Sequence, residues 1–180
     1  MRLTTDRLLI DRLRPSDEAD LARIAGDERV APMLGSFPSP CPPAKAREVI
    51  GRSQDLARPG FRLAVRRGGA FAGTVGISPV PEDGAPTISY FLDPRFWGSG
   101  LMREALEAFL PAIDGAFALP AVEATVFEDN PASCRLLERL GFDEAGRLRE
   151  PSAARHGLWP SIRYRRPACA DPAAPLGPPA

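Results

Sequence analysis

The stretch from 87 to 127 restricts the fold of this chain more than any other. Residues 87–92 form a short apolar run with few charges, which reads as a strand inside a sheet. A loop with Gly98 and Gly100 follows. Residues 101–117 then repeat apolar side chains at helical spacing, with Leu101, Ala105, Leu106, Phe109, Leu110 and Ile113 on one face. Residues 121–127 form a second strand-like run. Strand, helix and strand in that order make a parallel pair with a right-handed crossover. The chain is therefore expected to be mixed α/β. Pro111 falls inside the helical repeat. It has no N–H to donate and its ring crowds the preceding turn, so a bend is expected near 107–110.

The flanking segments supply the other elements. Residues 3–13 read as one strand. Pro15-Ser16-Asp17-Glu18 opens a helix, with acids in the first turn where the helix dipole favours them, and Leu21, Ile24 and Ala25 form its apolar face. Residues 31–43 carry five prolines together with Met33, Leu34 and Phe37. A loop bearing such apolar side chains is either a lid over the core or a wall of a binding pocket. Phe37 and Met33 are its candidate substrate contacts. A second helix is expected over 44–56, and a hairpin over 61–77, turning at Arg66-Arg67-Gly68-Gly69. Asn130-Pro131 starts a helix, with Asn as cap and Pro at the first helical position, and Gly141 ends it. Strands are expected at 142–148 and 158–165. From Pro167 onward, five Pro and five Ala without apolar periodicity predict a disordered tail, 167–180, after one domain, 1–166.

Composition excludes several chemistries. The 180 residues suit a single domain, and 23 acids balance 23 bases, which argues against broad nucleic-acid binding. The bases are 22 Arg and the single Lys45, so Schiff-base chemistry is not expected. One histidine, His156, and three scattered cysteines, Cys41, Cys134 and Cys169, do not have zinc-ligand spacing, and no metal is expected. A Ser-His-Asp or Cys-His nucleophile would have to run through His156. No apolar run reaches about 18 residues, so no membrane span is expected. The charged N-terminus lacks the apolar core of a secretory signal, and the cysteine usage fits a reducing cytoplasm.

Two constellations carry chemistry. The first is Leu92-Asp93-Pro94-Arg95-Phe96-Trp97-Gly98-Ser99-Gly100-Leu101-Met102. A strand ends, a glycine loop follows and a helix begins, so backbone N–H groups and the helix dipole together can hold phosphate. It is not a Walker loop, because the Lys-Ser/Thr pair is absent. Alone, it is equally the signature of a tight turn. The second is Glu128-Asp129-Asn130-Pro131-Ala132-Ser133, closed by Leu140-Gly141-Phe142. Alone, it is helix capping. Its place after the next parallel strand lets it meet the first loop across one sheet end.

Taken in order, these motifs resemble the GCN5-related N-acetyltransferase (GNAT) superfamily, and within it the ribosomal-protein N-terminal acetyltransferase branch. The matching pieces are Thr5-Asp6-Arg7-Leu8, Leu13-Arg14-Pro15-Ser16-Asp17, Ile88 to Pro94, Phe96 to Leu101, Glu104-Ala105, Asp129 to Ser133 and Leu140-Gly141-Phe142. They span roughly residues 3–165. The resemblance implies a single, mostly antiparallel central sheet of about seven strands, with one splayed parallel pair and four flanking helices. It implies acetyl-CoA as donor and a primary amine as acceptor, on a peptide N-terminus or a small molecule. Pantetheine would lie against Tyr90, Phe91 and Leu92. Trp97, Gly98, Ser99, Gly100, Leu101, Met102 and Arg103 would hold the pyrophosphate. Asn130 would touch the pantetheine arm or the acceptor.

A neutral amine attacks the thioester directly, and the Leu92 N–H is the candidate donor to the developing oxyanion. The amine must lose a proton, for which Glu150 is the candidate base, with Glu128, Asp129 and Glu123 as rivals. Many members place a Tyr on the helix after Asn to protonate the leaving thiolate. Leu137 stands at that position here, and the Ser133 hydroxyl is the substitute. Further departures are Trp97 at the opening of the phosphate loop, Met102 at its sixth position, and Trp159-Pro160-Ser161 without the usual acid. The missing Tyr and Met102 admit an alternative, a non-catalytic acyl-CoA-binding or sensory module. Cross-chain pairing of the last strand makes a homodimer conceivable.

Overall fold

Among the described residues, eight strands form two hydrogen-bonded groups that part between the fifth and the sixth. The computed structural model describes residues 1–82 and 84–167. The first group is antiparallel in chain order: β1 (Leu3–Thr4), β2 (Leu9–Arg12), β3 (Phe61–Arg67), β4 (Ala70–Ile77) and β5 (Ile88–Leu92). The second group has β8 (Arg155–Pro167) between β6 (Ala121–Phe127) and β7 (Asp143–Ser152). The helices are α1 (Glu18–Ala25), α2 (Pro43–Arg52), α3 (Leu101–Phe117) and α4 (Pro131–Arg139). β5 and β6 run parallel, joined by α3. Their pairing is a single bridge from Thr87 to Glu123, where the Glu123 N–H donates to the Pro86 carbonyl at 2.9 Å. Past that bridge the two strands share no ladder among the described residues, and a cleft opens between them.

The period of two along each strand divides the core in two. Leu63 and Val65 of β3 and Ile88 and Leu92 of β5 face α3, where Leu101, Leu106, Phe109, Leu110 and Ile113 are fully buried. Ala64 and Phe91 face the other way, onto Leu21 and Ile24 of α1, Ala46 and Ile50 of α2, and Phe37 from the loop between the helices. Buried ion pairs pin the layers. Arg66 reaches Asp11 at 2.7 Å and Asp17 at 2.8 Å. Arg166 of β8 reaches Asp114 of α3 at 2.7 Å.

Several elements differ from the sequence reading. Residues 3–13 are a hairpin instead of one strand, because the Thr5 N–H donates to the Leu8 carbonyl and the Leu8 N–H to the Thr5 hydroxyl, each at 3.0 Å. The first helix opens with a 3-10 turn at Pro15–Asp17, in which the Asp17 carboxylate accepts the Arg14 N–H at 2.8 Å. α2 stops at Arg52, where the Ser53 hydroxyl turns back onto the Val49 carbonyl at 2.7 Å. α3 runs from Leu101 to Phe117 with Pro111 inside it, the bounds its spacing predicts. β8 is the middle strand of its group, flanked on both sides over 161–165, which leaves one side open only at 155–160 and 166–167. The strand reaches Pro167, and the rest of the expected tail, 168–180, lies outside the described residues. Among the described residues no helix is long and apolar enough to cross a membrane.

Candidate active site

The cleft between β5 and β6 has a volume of about 710 Å³. Its geometry begins with the hydrogen-bond alternation of β5. The Asp93 N–H donates to the Ala72 carbonyl at 2.8 Å, and Leu92 stands opposite Gly73. In an antiparallel ladder this makes Leu92 and Gly73 a non-hydrogen-bonded pair, so the N–H and C=O of Leu92 and of Tyr90 point away from β4. They point into the gap left by the missing β6 partner. An extra residue in β4 beside this point, Ala72, sharpens the local twist. The Trp97 indole N–H takes the Leu92 carbonyl at 2.9 Å, and the Leu92 N–H remains directed at the cleft.

The loop after β5 is held from below. Asp93 is buried and caps a 3-10 turn, Pro94–Phe96, by accepting the Arg95 N–H at 2.9 Å. Burial works to raise its pKa. Hydrogen bonds from Arg95 and Arg23 outweigh it and hold the carboxyl at about 2. Gly98 (φ 69°) and Gly100 (φ 75°) then take left-handed backbone, which turns the chain into the N-terminus of α3. The N-terminal hairpin braces this turn. Arg7 donates to the Ser99 carbonyl at 2.9 Å and to Glu104 at 2.6 Å, and the Thr5 hydroxyl donates to the same Glu104 carboxylate.

Across the cleft, the Asn130 side chain caps α4 by accepting the Ser133 N–H at 3.2 Å. The Ser133 hydroxyl lies 2.7 Å from the Tyr90 hydroxyl, so β5 and α4 meet through two hydroxyls in the cleft. Burial pushes the Tyr90 phenol well above its usual pKa, and the bond to Ser133 offsets only part of this. Leu137, the position where the family often has a Tyr, is fully buried in the core. A phenol reaches this cleft from β5 instead.

Most residues nominated from the sequence line this cleft: Tyr90, Phe91, Leu92, Trp97, Gly98, Gly100, Leu101, Met102, Arg103, Asn130 and Ser133, with Met33 and Phe37 from the loop. Met102 is partly buried against the core, which gives its side chain room. Ser99 is not in the lining, and its hydroxyl donates to the Phe96 carbonyl. Glu150 is not in the lining either. It sits on β7 opposite Trp159, and burial alone raises its pKa. The rival acids are each paired with arginine: Glu123 with Arg165 at 3.1 Å, Glu128 with Arg147 at 2.9 Å and Asp129 with Arg155 at 2.7 Å. No Asp or Glu lines the cleft among the described residues, whereas Arg29, Arg62, Arg103, Arg135 and Arg139 do. Among the described residues no group of three or more His, Cys, Asp or Glu is placed to hold a metal ion. His156 is exposed on β8.

Five contributions were not foreseen. The Tyr90 hydroxyl is one, because Tyr90 was expected to line the cofactor site and not to face Ser133. Arg135 and Arg139 stand four residues apart on α4, a spacing that does place them on one face. Arg155, outside the cleft lining, ties the loop between α1 and α2 to the turn after β6. It donates to the Pro32 carbonyl at 2.6 Å and to Asp129 at 2.7 Å, and stacks 4.7 Å from the ring centroids of Phe127 and Trp159. Arg62 is the fifth, and nothing local in the sequence marks it.

A splayed parallel pair with a glycine loop at a helix start defines an acetyltransferase class of fold and site. The acetyltransferase (GNAT) domain family matches residues 7–143, and the chain belongs to that family. An uncharacterized N-acetyltransferase, p20, of Bacillus licheniformis is 28% identical over 161 residues, covering 87% of this chain and 90% of its own length. Among solved structures, RimJ of Mycobacterium smegmatis, in complex with CoA-disulfide, aligns with a TM-score of 0.75 at 22% identity, over 89% of this chain and 82% of its own. The ribosomal-protein-S5-alanine acetyltransferase of Vibrio fischeri aligns with a TM-score of 0.76 at 18% identity, over 99% of this chain and its entire length.

Proposed function

We propose that this chain is an acetyl-CoA-dependent N-acetyltransferase acting on a primary amine, on a peptide N-terminus or a small molecule. The observation that carries this reading is the Leu92 N–H directed into the β5–β6 gap beside the glycine loop. Acetyl-CoA supplies an activated acetyl thioester. The residues present fit such a donor. The free edge of β5 can pair with pantetheine amides, and the loop at Gly98 and Gly100 offers N–H groups at a helix N-terminus. Arg103, Arg135 and Arg139 add positive charge at that end of the cleft.

The catalytic roles follow from what faces the gap. The Leu92 N–H donates to the oxygen that becomes negative when the amine attacks the carbonyl. The Tyr90 and Ser133 hydroxyls stand as one hydrogen-bonded unit, able to donate to the departing sulfur. Asn130 orients Ser133 through the helix cap. Among the described residues no carboxylate lines the cleft, and the amine's proton leaves to water. The surrounding arginines disfavour an ammonium and lower the acceptor's pKa, which supplies the neutral nucleophile. Two observations favour catalysis over the non-catalytic alternative: the Tyr90 hydroxyl faces the cleft that lacks the family's Tyr, and Met102 packs against the core. Thiol release from acetyl-CoA is expected with at least one member of a panel of amines. Binding without turnover across that panel would return the chain to the non-catalytic reading.

A further inference from the structure

Arg62 is a cation in the cleft with no carboxylate beside it among the described residues. Its side chain starts on β3 and crosses β4 at Gly76, its register partner. A methyl group at Gly76 would stand 2.5 Å from the Arg62 Cγ, so the glycine makes room for the arginine stem. The guanidinium arrives over β5. Nη1 donates to the Thr74 hydroxyl at 3.1 Å and Nη2 to the Ser89 hydroxyl at 2.8 Å. Phe37 and Phe91 flank it, with ring centroids 5.7 and 6.0 Å from Cζ and their own rings edge to face. The partners are two neutral hydroxyls and two apolar rings, and they leave three of five N–H groups unused. Burial holds this guanidinium below the usual arginine range, at about 10, with no counter-charge raising it again. Arg66 and Arg166, which are buried, each hold carboxylates, whereas the half-buried Arg62 holds none. A partly desolvated charge without a counter-charge is costly, and an anionic ligand offsets that cost.

We propose that Arg62 recognises a carboxylate on the amine acceptor, so that the substrates are amino-acid-like compounds or peptides with an acidic group near the amine. The inference rests on the acetyltransferase reading. The face of the sheet that bears Arg62 also bears Phe91 and meets the 31–43 loop through Phe37, whereas Arg135 and Arg139 line the cleft from α4. One guanidinium with a planar fork matches one planar monoanion. Thr74 and Ser89 fix the fork's orientation, and the Phe37 and Phe91 rings flank it.

The test compares acceptors in matched pairs: amino acids with their carboxamides, and short amidated peptides beginning with Asp or Asn, and with Glu or Gln. Thiol release from acetyl-CoA is measured for each. The carboxylate member of the productive pairs is expected to have a kcat/KM about 10- to 100-fold higher. Arg62→Gln is expected to bring that ratio near one while the Kd for CoA is unchanged. Arg62→Lys, which keeps the charge and loses the fork, is expected to give an intermediate ratio and serves if the Gln variant does not fold. A wild-type ratio near one, or a ratio that survives Arg62→Gln, overturns the proposal. If no amine turns over, the acetyltransferase reading fails separately. The same pairs are then compared for thermal stabilisation of the CoA-bound protein, where equal stabilisation by acid and amide overturns the role of Arg62.

Discussion

Tyr90 on β5 and Ser133 on α4 hold their hydroxyl oxygens 2.7 Å apart across the gap where β5 and β6 separate. Neither residue is near the other in sequence, and the pair exists only because the two strands splay. Each hydroxyl both donates and accepts, so the two act as one proton-bearing unit. Tyr90→Phe and Ser133→Ala are each expected to lower kcat by about 10- to 100-fold with little change in the KM for acetyl-CoA. The double variant is expected to be no slower than the slower single variant, because the unit is already broken. Steady-state kinetics reads both, and unchanged turnover in Ser133→Ala would remove that hydroxyl from the reaction.

Asn130 joins stability to the site, since its side chain caps α4 at the Ser133 N–H. Asn130→Ala is expected to cost about 1 kcal/mol in unfolding free energy and to slow turnover as Ser133 loses its fixed position. Asn130→Asp keeps an acceptor at the cap and is expected to recover most of the stability. Urea denaturation and initial rates, measured on the same preparations, separate the two effects.

Arg135 and Arg139 line the cleft from one face of α4 and form no ion pair among the described residues. Replacing either with Gln is expected to weaken CoA binding about 3- to 10-fold, with kcat at saturation nearly unchanged. The loss is expected to shrink as salt is raised, because the wild-type attraction is itself screened. Titration calorimetry at two ionic strengths checks both points.

Asp93 ties pH to the integrity of the phosphate loop. Its folded pKa of about 2 lies below the unfolded value near 3.9, so its contribution is present above about pH 4 and is lost as pH falls toward 2. Asp93→Asn is expected to destabilise the protein by about 2 kcal/mol at neutral pH. The gap between variant and wild type is expected to close between about pH 4 and 2. Denaturant midpoints across that range test the sign as well as the size, since a gap that widened on acidification would contradict the bond pattern.

The elements with strong local signals were legible in the sequence. Helical spacing from Leu101 to Ile113 matches α3, and Asn130-Pro131 with Gly141 matches the two ends of α4, where the Phe142 N–H closes onto the Leu137 carbonyl at 3.0 Å. The N-terminal hairpin was not legible, because the apolar alternation of 3–13 ignores a turn closed by Thr5 and Leu8. Of the candidate site, the loop was readable because backbone amides at a glycine turn are a local property. The position of Glu150 outside the cleft lining was not readable for the opposite reason, since it depends on how β7 pairs with β8.

The sequence by itself determined the parallel crossover, the glycine turn into α3 and the cap of α4. These follow from spacing and residue type, which act over a few residues. Only the tertiary structure decided which side chains share the cleft. It turned Tyr90 toward Ser133, laid Arg62 across Gly76 and left Glu123, Glu128 and Asp129 each paired with an arginine. The reason is physical. Hydrogen bonds and charges act over a few ångströms, and the sheet brings together residues tens of positions apart that carry no mark of one another in the chain.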